Sequence, residues 1–438
     1  MLSFLLAILI GSVLLALPIS SKSGDAVPYL DALFTATTAT CVTGLVTLPT
    51  VTTWSIFGQA VILLLIQIGG LGVITVLAGF AIALHRKMSL KDSRLISDAF
   101  NLTSLSGLTS FVKKVILGTL IIEALGALLY MPIFIPKFGA RGIWISLFNS
   151  VSAFCNAGID IIAENSLCDY ALHPLVNTVT SLLIILGGIG YIVWWDVIRV
   201  FKNIKREKWK CFKRLTLHSK IVLSSTFILI VGGALAIFIL EYNNPLTIQS
   251  YSLFDKIQVS LFQSITTRTA GFATLPQENL TNATAFVCIL LMFIGGSPVG
   301  TAGGIKTVTI VVLFATAYSA IKNRNEVSLF NRNLSRQITK KAVAVSCMSF
   351  ATMFLSTVLL AAVTDAPALD ILYETVSATA TVGLSRNLTP FLNTFGKCII
   401  IATMYFGRIG PISLAIAFQS KKETGNSIKN PTEEISVG

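Results

Sequence analysis

Four short segments share a pattern of residue types that suits one chemistry. They are LFTATTATCVTGL at 33–45, LFNSVSAFCNAGI at 147–159, LFQSITTRTAGF at 261–272 and LYETVSATATVGL at 372–384. Each opens on Leu and an aromatic ring, runs through small and hydroxyl residues, and closes on a glycine: Gly44, Gly158, Gly271 and Gly383. These glycines lie 114, 113 and 112 residues apart, and the aromatic precedes its glycine by ten residues, or by nine in the third segment. Glycine permits backbone conformations closed to other residues. Rings of aligned backbone carbonyls can replace the hydration shell of a monovalent cation. One such glycine alone reads as an ordinary turn; four at one period read as a single device.

The candidate ligands are then four triplets: Val42, Thr43 and Gly44; Asn156, Ala157 and Gly158; Thr269, Ala270 and Gly271; Thr381, Val382 and Gly383. The last, Thr-Val-Gly, is similar to part of the potassium-channel filter Thr-Val-Gly-Tyr-Gly. One glycine per segment leaves fewer aligned carbonyl layers, which predicts fewer strict sites and weaker rejection of sodium than in a channel. Around the triplets, Asn149 and Gln263 are expected to hydrogen-bond behind their filter segments. Arg268 would repel a cation if it pointed inward, so it is expected in the filter wall with Glu374 as its partner.

Such segments need elements that hold them at membrane depth. Of the 438 residues 54% are hydrophobic and 12% charged, about half the charge of a soluble domain. Apolar runs precede the motifs at roughly 2–19, 111–133, 217–240 and 339–363, and follow them at 54–84, 175–200, 283–318 and 395–418. A helix needs about 20 apolar residues to span the bilayer, and the motifs themselves are too short and polar to do so. Non-helical backbone at that depth survives where it lines a water-filled path or is buried in protein. The expected architecture is an all-α polytopic membrane protein with four parallel helix–pore loop–helix repeats around one pseudo-fourfold pore. The units are 1–84, 85–200, 201–321 and 322–420, with a tail at 421–438. Residues 1–19 lack a basic leading region, so they read as a helix of the first unit rather than a signal peptide.

The net charge of +13 is distributed unevenly: segments 85–114, 199–220, 322–341 and the tail from 421 hold six, nine, six and three Lys or Arg, 24 of 33. Cytoplasmic loops carry this excess. The basic charge therefore reads as topology rather than nucleic-acid binding. It puts both termini in the cytoplasm and points all four units the same way. Inverted repeats do not fit it. The seven scattered Cys and three distant His form neither a disulfide framework nor a metal site, and no cofactor is implied.

Each last helix carries a glycine cluster 24 to 29 residues after its filter glycine. At Gly69–Gly72 and Gly187–Gly190 the expected role is close helix packing through small residues. The third cluster, Gly295 to Gly304, contains Gly295, Gly296, Gly300, Gly303 and Gly304 with Pro298 among them, and breaks any helix. As one helix, 283–318 would measure about 54 Å, against a bilayer core of about 30 Å. An intramembrane loop at 295–304, able to move beneath the filter, reads as a gate. Arg408, inside an apolar helix, is costly there and so functional by default; it is expected to brace the loop and raise a positive barrier. A phosphate-binding reading of the glycine run lacks the required spacing.

The four motifs resemble those of the Trk/Ktr/HKT superfamily of potassium transporters over nearly the whole chain, and within it the Ktr-type membrane subunit of bacteria. Trk-type subunits have an extra helix pair before the first repeat, for which this sequence has no room. Sodium-selective plant members carry Ser at the first filter position; here it is Gly44. The resemblance implies potassium uptake across the plasma (inner) membrane, gated by the loop. It further implies a homodimer with a pore in each protomer, embedded in lipid, and a cytosolic nucleotide-binding regulatory ring from another chain. Whether sodium takes part stays open. The competing reading is an alternating-access carrier for ammonium or another small cation. An enzyme would need clustered acids, whereas Glu123, Asp160 and Asp196 stand apart.

Overall fold

A computed structural model describes residues 2–83, 108–202, 213–324 and 326–410. Apart from one single-turn helix at Thr50–Thr53, its α-helices are α1 (Leu2–Ala16), α2 (Tyr29–Cys41), α3 (Ile56–Leu71), α4 (Val73–Ala83), α5 (Leu108–Phe138), α6 (Arg141–Cys155), α7 (Pro174–Ile189), α8 (Tyr191–Phe201), α9 (Leu217–Glu241), α10 (Leu253–Thr266), α11 (Asn282–Phe293), α12 (Thr307–Ile321), α13 (Arg336–Ala361), α14 (Ala368–Ala380) and α15 (Thr394–Ile409). The protein is an all-α polytopic membrane protein. A two-stranded hairpin, Ser328–Leu329 with Arg332–Asn333, joins α12 to α13.

Helix starts follow local chemistry. Thr216, Ser252, Thr281, Ser335 and Asn393 each accept a hydrogen bond from a backbone N–H three residues on, opening α9, α10, α11, α13 and α15. Among the described residues α5, α9 and α13 are long and apolar enough to cross a membrane, and α7 with α8 passes as a pair bent by 100°. Their outward faces are apolar, with Phe227, Ile228, Phe350 and Phe354 exposed, as hydrocarbon requires.

The four short helices α2, α6, α10 and α14 hold 13 to 15 residues, roughly 20 Å and too short to span. Their aromatics Phe34, Phe148, Phe262 and Tyr373 are fully buried and fix each short helix between longer ones. The packing order is cyclic: α3 lies on α6, α7 on α10, α11 on α14, and α15 on α2. A Lys397–Asp31 ion pair of 2.6 Å ties α15 to α2 where the cycle closes.

The last helices differ from expectation at the first two clusters. Gly69 and Gly187 do pack closely: a β-carbon on either would strike the carbonyl oxygen of Thr40 or Phe154. The helices are nevertheless not continuous, because Gly72 (φ 84°, ψ 134°) ends α3 and Gly190 (φ 94°, ψ 143°) ends α7. Gly410 ends α15 with the same geometry (φ 84°, ψ 141°). Glycine adopts these angles at little cost, and at Gly72 and Gly190 they set the break between α3 and α4 and between α7 and α8.

Candidate functional site

Three of the short helices end in the same left-handed cap. Val42, Asn156 and Thr381 have φ of 55°, 59° and 50°. Each N–H reaches the carbonyl three residues back at 3.2 Å, and the following N–H reaches the carbonyl five back at 2.8 Å, the Schellman pattern. In the third segment the left-handed residue is Thr269 (φ 74°). For Val and Thr such angles are strained, at about 1–3 kcal/mol each. Two residues on, Gly44, Gly158, Gly271 and Gly383 are again at positive φ (100°, 63°, 82°, 99°), while the residues between are not. Backbone that alternates in hand turns successive carbonyls to one side.

The four triplets meet in a ring. A β-carbon on Gly44 would lie 2.6 Å from the carbonyl oxygen of Ala157, and one on Gly158 would lie 2.5 Å from that of Ala270. Gly271 abuts the Val382 carbonyl and Gly383 the Thr43 carbonyl in the same way. Each glycine thus faces the middle carbonyl of the next triplet, and the last faces the first. The hydroxyls of Thr43, Thr269 and Thr381 are buried with no partner among the described residues, a cost of about 1–3 kcal/mol each unless something polar passes there.

Behind the ring runs a layer of hydroxyls. The Gly44 N–H donates to Thr38 Oγ1 (2.9 Å) and the Gly383 N–H to Ser377 Oγ (3.0 Å). In the other two segments Ser152 Oγ donates to the Ile159 carbonyl (2.5 Å) and Thr266 Oγ1 to that of Phe272 (2.7 Å). Each triplet is therefore pinned to the last turn of its own short helix.

Below the ring, residues 294–306 leave the α-helical path between α11 and α12. The loop docks on the frayed end of α7: the N–H groups of Ser297 and Thr301 donate to the carbonyls of Gly188 (2.9 Å) and Gly187 (3.1 Å), and Tyr191 N–H donates to Val299 O (3.1 Å). Those carbonyls are open because α7 stops there. On the far side Gly303 lies so close to Thr381 that a β-carbon would strike its hydroxyl. Arg408 closes the assembly: Nη1 donates to the Thr301 carbonyl at 2.6 Å and Nη2 to the Gly69 carbonyl at 2.5 Å. One guanidinium joins the loop to α3.

A sequence profile described as "TrkH: Cation transport protein" matches residues 5–430. The chain belongs to the TrkH family of cation transport proteins. That family transports ions and is not one of enzymes. "Ktr system potassium uptake protein B" of Bacillus subtilis is 41% identical over 99% of this chain and 95% of its own. "Potassium/sodium uptake protein NtpJ" of Enterococcus hirae is 35% identical over the same shares. The crystal structure of the potassium transporter TrkH from Vibrio parahaemolyticus superposes with a TM-score of 0.74 at 16% identity, covering 94% of this chain and 84% of that one. That likeness speaks to the fold.

In this TrkH-family chain the supporting residues divide. Gln263 sits behind its segment in a closed network: its amide donates to Gln277 Oε1 at 2.7 Å, and Tyr373 OH donates to the same atom at 2.9 Å. Asn149, expected to act likewise, does not: its Oδ1 is buried without a partner among the described residues. Arg268 and Glu374 are not partners. Their partners differ: Glu374, at the middle of α14, accepts from Ser385 Oγ (2.6 Å) and from the Thr389 hydroxyl, both after the fourth triplet. Arg268 has Nη2 on the Gly295 carbonyl at 3.3 Å. Gly295, Gly296, Gly300, Gly303 and Gly304 all lie in the loop, where Gly295 N–H donates to Ile305 O (3.0 Å), Gly296 O accepts from Thr307 N–H (3.0 Å), and Gly304 has φ 65°. Sequence reasoning missed Thr38, Ser152, Thr266 and Ser377; their recurrence five or six residues before each glycine was the available signal.

Proposed function

We propose that this chain takes up potassium across the plasma membrane through one path framed by the four triplets and controlled by the 294–306 loop. The observation that carries the reading is the closed ring: four glycines in cyclic order, each against the next middle carbonyl, on backbone of alternating hand. Such a ring supplies carbonyl oxygens with no charged side chain among them. This suits a weakly hydrated monovalent cation that must bind and then leave. The triplets 42–44, 156–158, 269–271 and 381–383 act as the filter. Units 1–84, 85–200, 201–321 and 322–420 each supply a quarter of it, and 421–438 forms a cytoplasmic tail.

The loop acts as the gate and Arg408 as its latch, since one guanidinium holds both the loop and α3. Its charge beneath the filter opposes a descending cation. Both termini face the cytoplasm, following the Lys and Arg excess. The name of the Bacillus relative, a "Ktr system" protein, supports further subunits: a homodimer of this chain in lipid, regulated by a cytosolic nucleotide-binding ring. The name of the Enterococcus relative, "Potassium/sodium", supports sodium as a second transported or coupling ion. Rubidium and sodium flux into proteoliposomes of the purified chain, driven by an imposed membrane potential, tests the reading. Rubidium flux that follows the potential supports conduction. Flux that ignores the potential and saturates at one slow turnover rate favours alternating access.

A further inference from the structure

A second cation, half-buried like Arg408, acts on the same loop. Lys306 is the residue before α12, at φ −66° and ψ 141°. Its ammonium donates to the Ala302 carbonyl at 2.5 Å and lies 3.5 Å from that of Gly303. With Arg408 on Thr301, three consecutive loop carbonyls are held by two cations. No carboxylate pairs with Lys306 among the described residues, and the charged group that acts on it is Arg408, of like sign. Its position at a helix N-terminus is also the unfavourable end for a positive charge. Even a half-buried charge without a counter-ion is costly, so these carbonyls are its main compensation.

The carbonyls lie directly under the filter. Gly303 touches Thr381, the first residue of the fourth triplet, whose buried hydroxyl has no partner among the described residues. We propose that the carbonyls of Ala302 and Gly303, with Thr381 Oγ1, form a monovalent-cation site at the gate, and that the Lys306 ammonium is its tethered occupant. A permeating cation then opens the loop by taking the ammonium's place. The two cations have the same charge and similar size, so the carbonyls stay satisfied through the exchange. The flexible lysine stem lets the displaced ammonium swing away, and repulsion from Arg408 and from the incoming ion favours its release.

The inference rests on the filter reading, and one experiment separates the two. Crystals of the full chain and of Lys306→Met, soaked in rubidium, are read by anomalous scattering. The variant keeps the apolar stem and removes the charge. Expected are filter peaks in both proteins and, in the variant, an added peak between the Ala302 and Gly303 carbonyls. Rubidium flux per inserted molecule at low concentration should rise severalfold in the variant, with its potassium-over-sodium preference kept. Filter peaks without the lower peak, or unchanged flux, overturn this inference alone; absence of filter peaks overturns the filter reading. Should Lys306→Met fail to insert, Lys306→Gln, which keeps a donor for Ala302, carries the same flux test. No rise there is equally decisive against the proposal.

Discussion

Replacing Gly383 by serine puts a side chain where the ring has no room. Gly383 has φ 99°, and holding a serine there costs about 1–3 kcal/mol. The new β-carbon would lie 2.8 Å from Gly44 Cα and 3.0 Å from its carbonyl carbon, and would strike the Thr43 oxygen. Those atoms are backbone of the neighbouring triplet, so relief requires the ring to move. If the backbone cost alone falls on the ion-bound geometry, apparent potassium affinity weakens by roughly 5- to 150-fold, and potassium-over-sodium preference falls with it. Gly70→Ser is the control. Its β-carbon would meet Cys155 Sγ at 2.5 Å, where α3 packs on α6, outside the ring. It should lower the amount of folded protein and leave the preference of what folds intact. The assay is rubidium uptake with potassium and sodium as competitors, normalised to inserted protein. Equal preference in the two variants would refute the assignment of Gly383 to an ion-coordinating ring.

Deleting 298–303 should raise maximal flux per inserted molecule with filter affinity nearly unchanged, and Arg408→Ala should move flux the same way by releasing Thr301 and Gly69; flux equal to or below that of the parent chain would make the loop a packing feature. Ser377→Ala strands the Gly383 N–H at a cost of about 1–3 kcal/mol, and should lower potassium affinity severalfold without lowering insertion, as competition uptake would register. Single cysteines at Ser93, Asn203 and Asn325, in a background lacking native Cys, should stay protected from an impermeant thiol reagent outside intact cells. These three positions lie outside the described residues, and labelling at any one contradicts the topology.

What the sequence disclosed and what it hid follow from the physics of each signal. The four glycine motifs were legible because a ring built from one chain must repeat its demands at each quarter. The third cluster announced its break, since Pro298 and five glycines cannot stay helical. The breaks at Gly72 and Gly190 were hidden: a single glycine costs a helix only about 1 kcal/mol, and the apolar pattern runs straight through both sites. Whether such a glycine packs or turns is decided by neighbours distant in sequence, here the loop amides that seat on Gly187 and Gly188. Pairing Arg268 with Glu374 failed for a related reason. Opposite charges within two motifs say nothing of depth: Glu374 is held by Ser385 and Thr389 after the fourth triplet, and Arg268 reaches Gly295 of the loop. Lys306 escaped notice because a lysine after a glycine run reads as loop until its ammonium is found on loop carbonyls.

The measurement that bears most directly on potassium uptake is made in cells lacking their own potassium systems. The chain is expressed there, its insertion is quantified, and potassium and sodium uptake are followed at equal low external concentrations. The account predicts potassium uptake that restores growth and outpaces sodium, with the difference reduced in Gly383→Ser. Inserted protein that takes up no potassium, or that admits sodium as readily and is indifferent to Gly383→Ser, would contradict it.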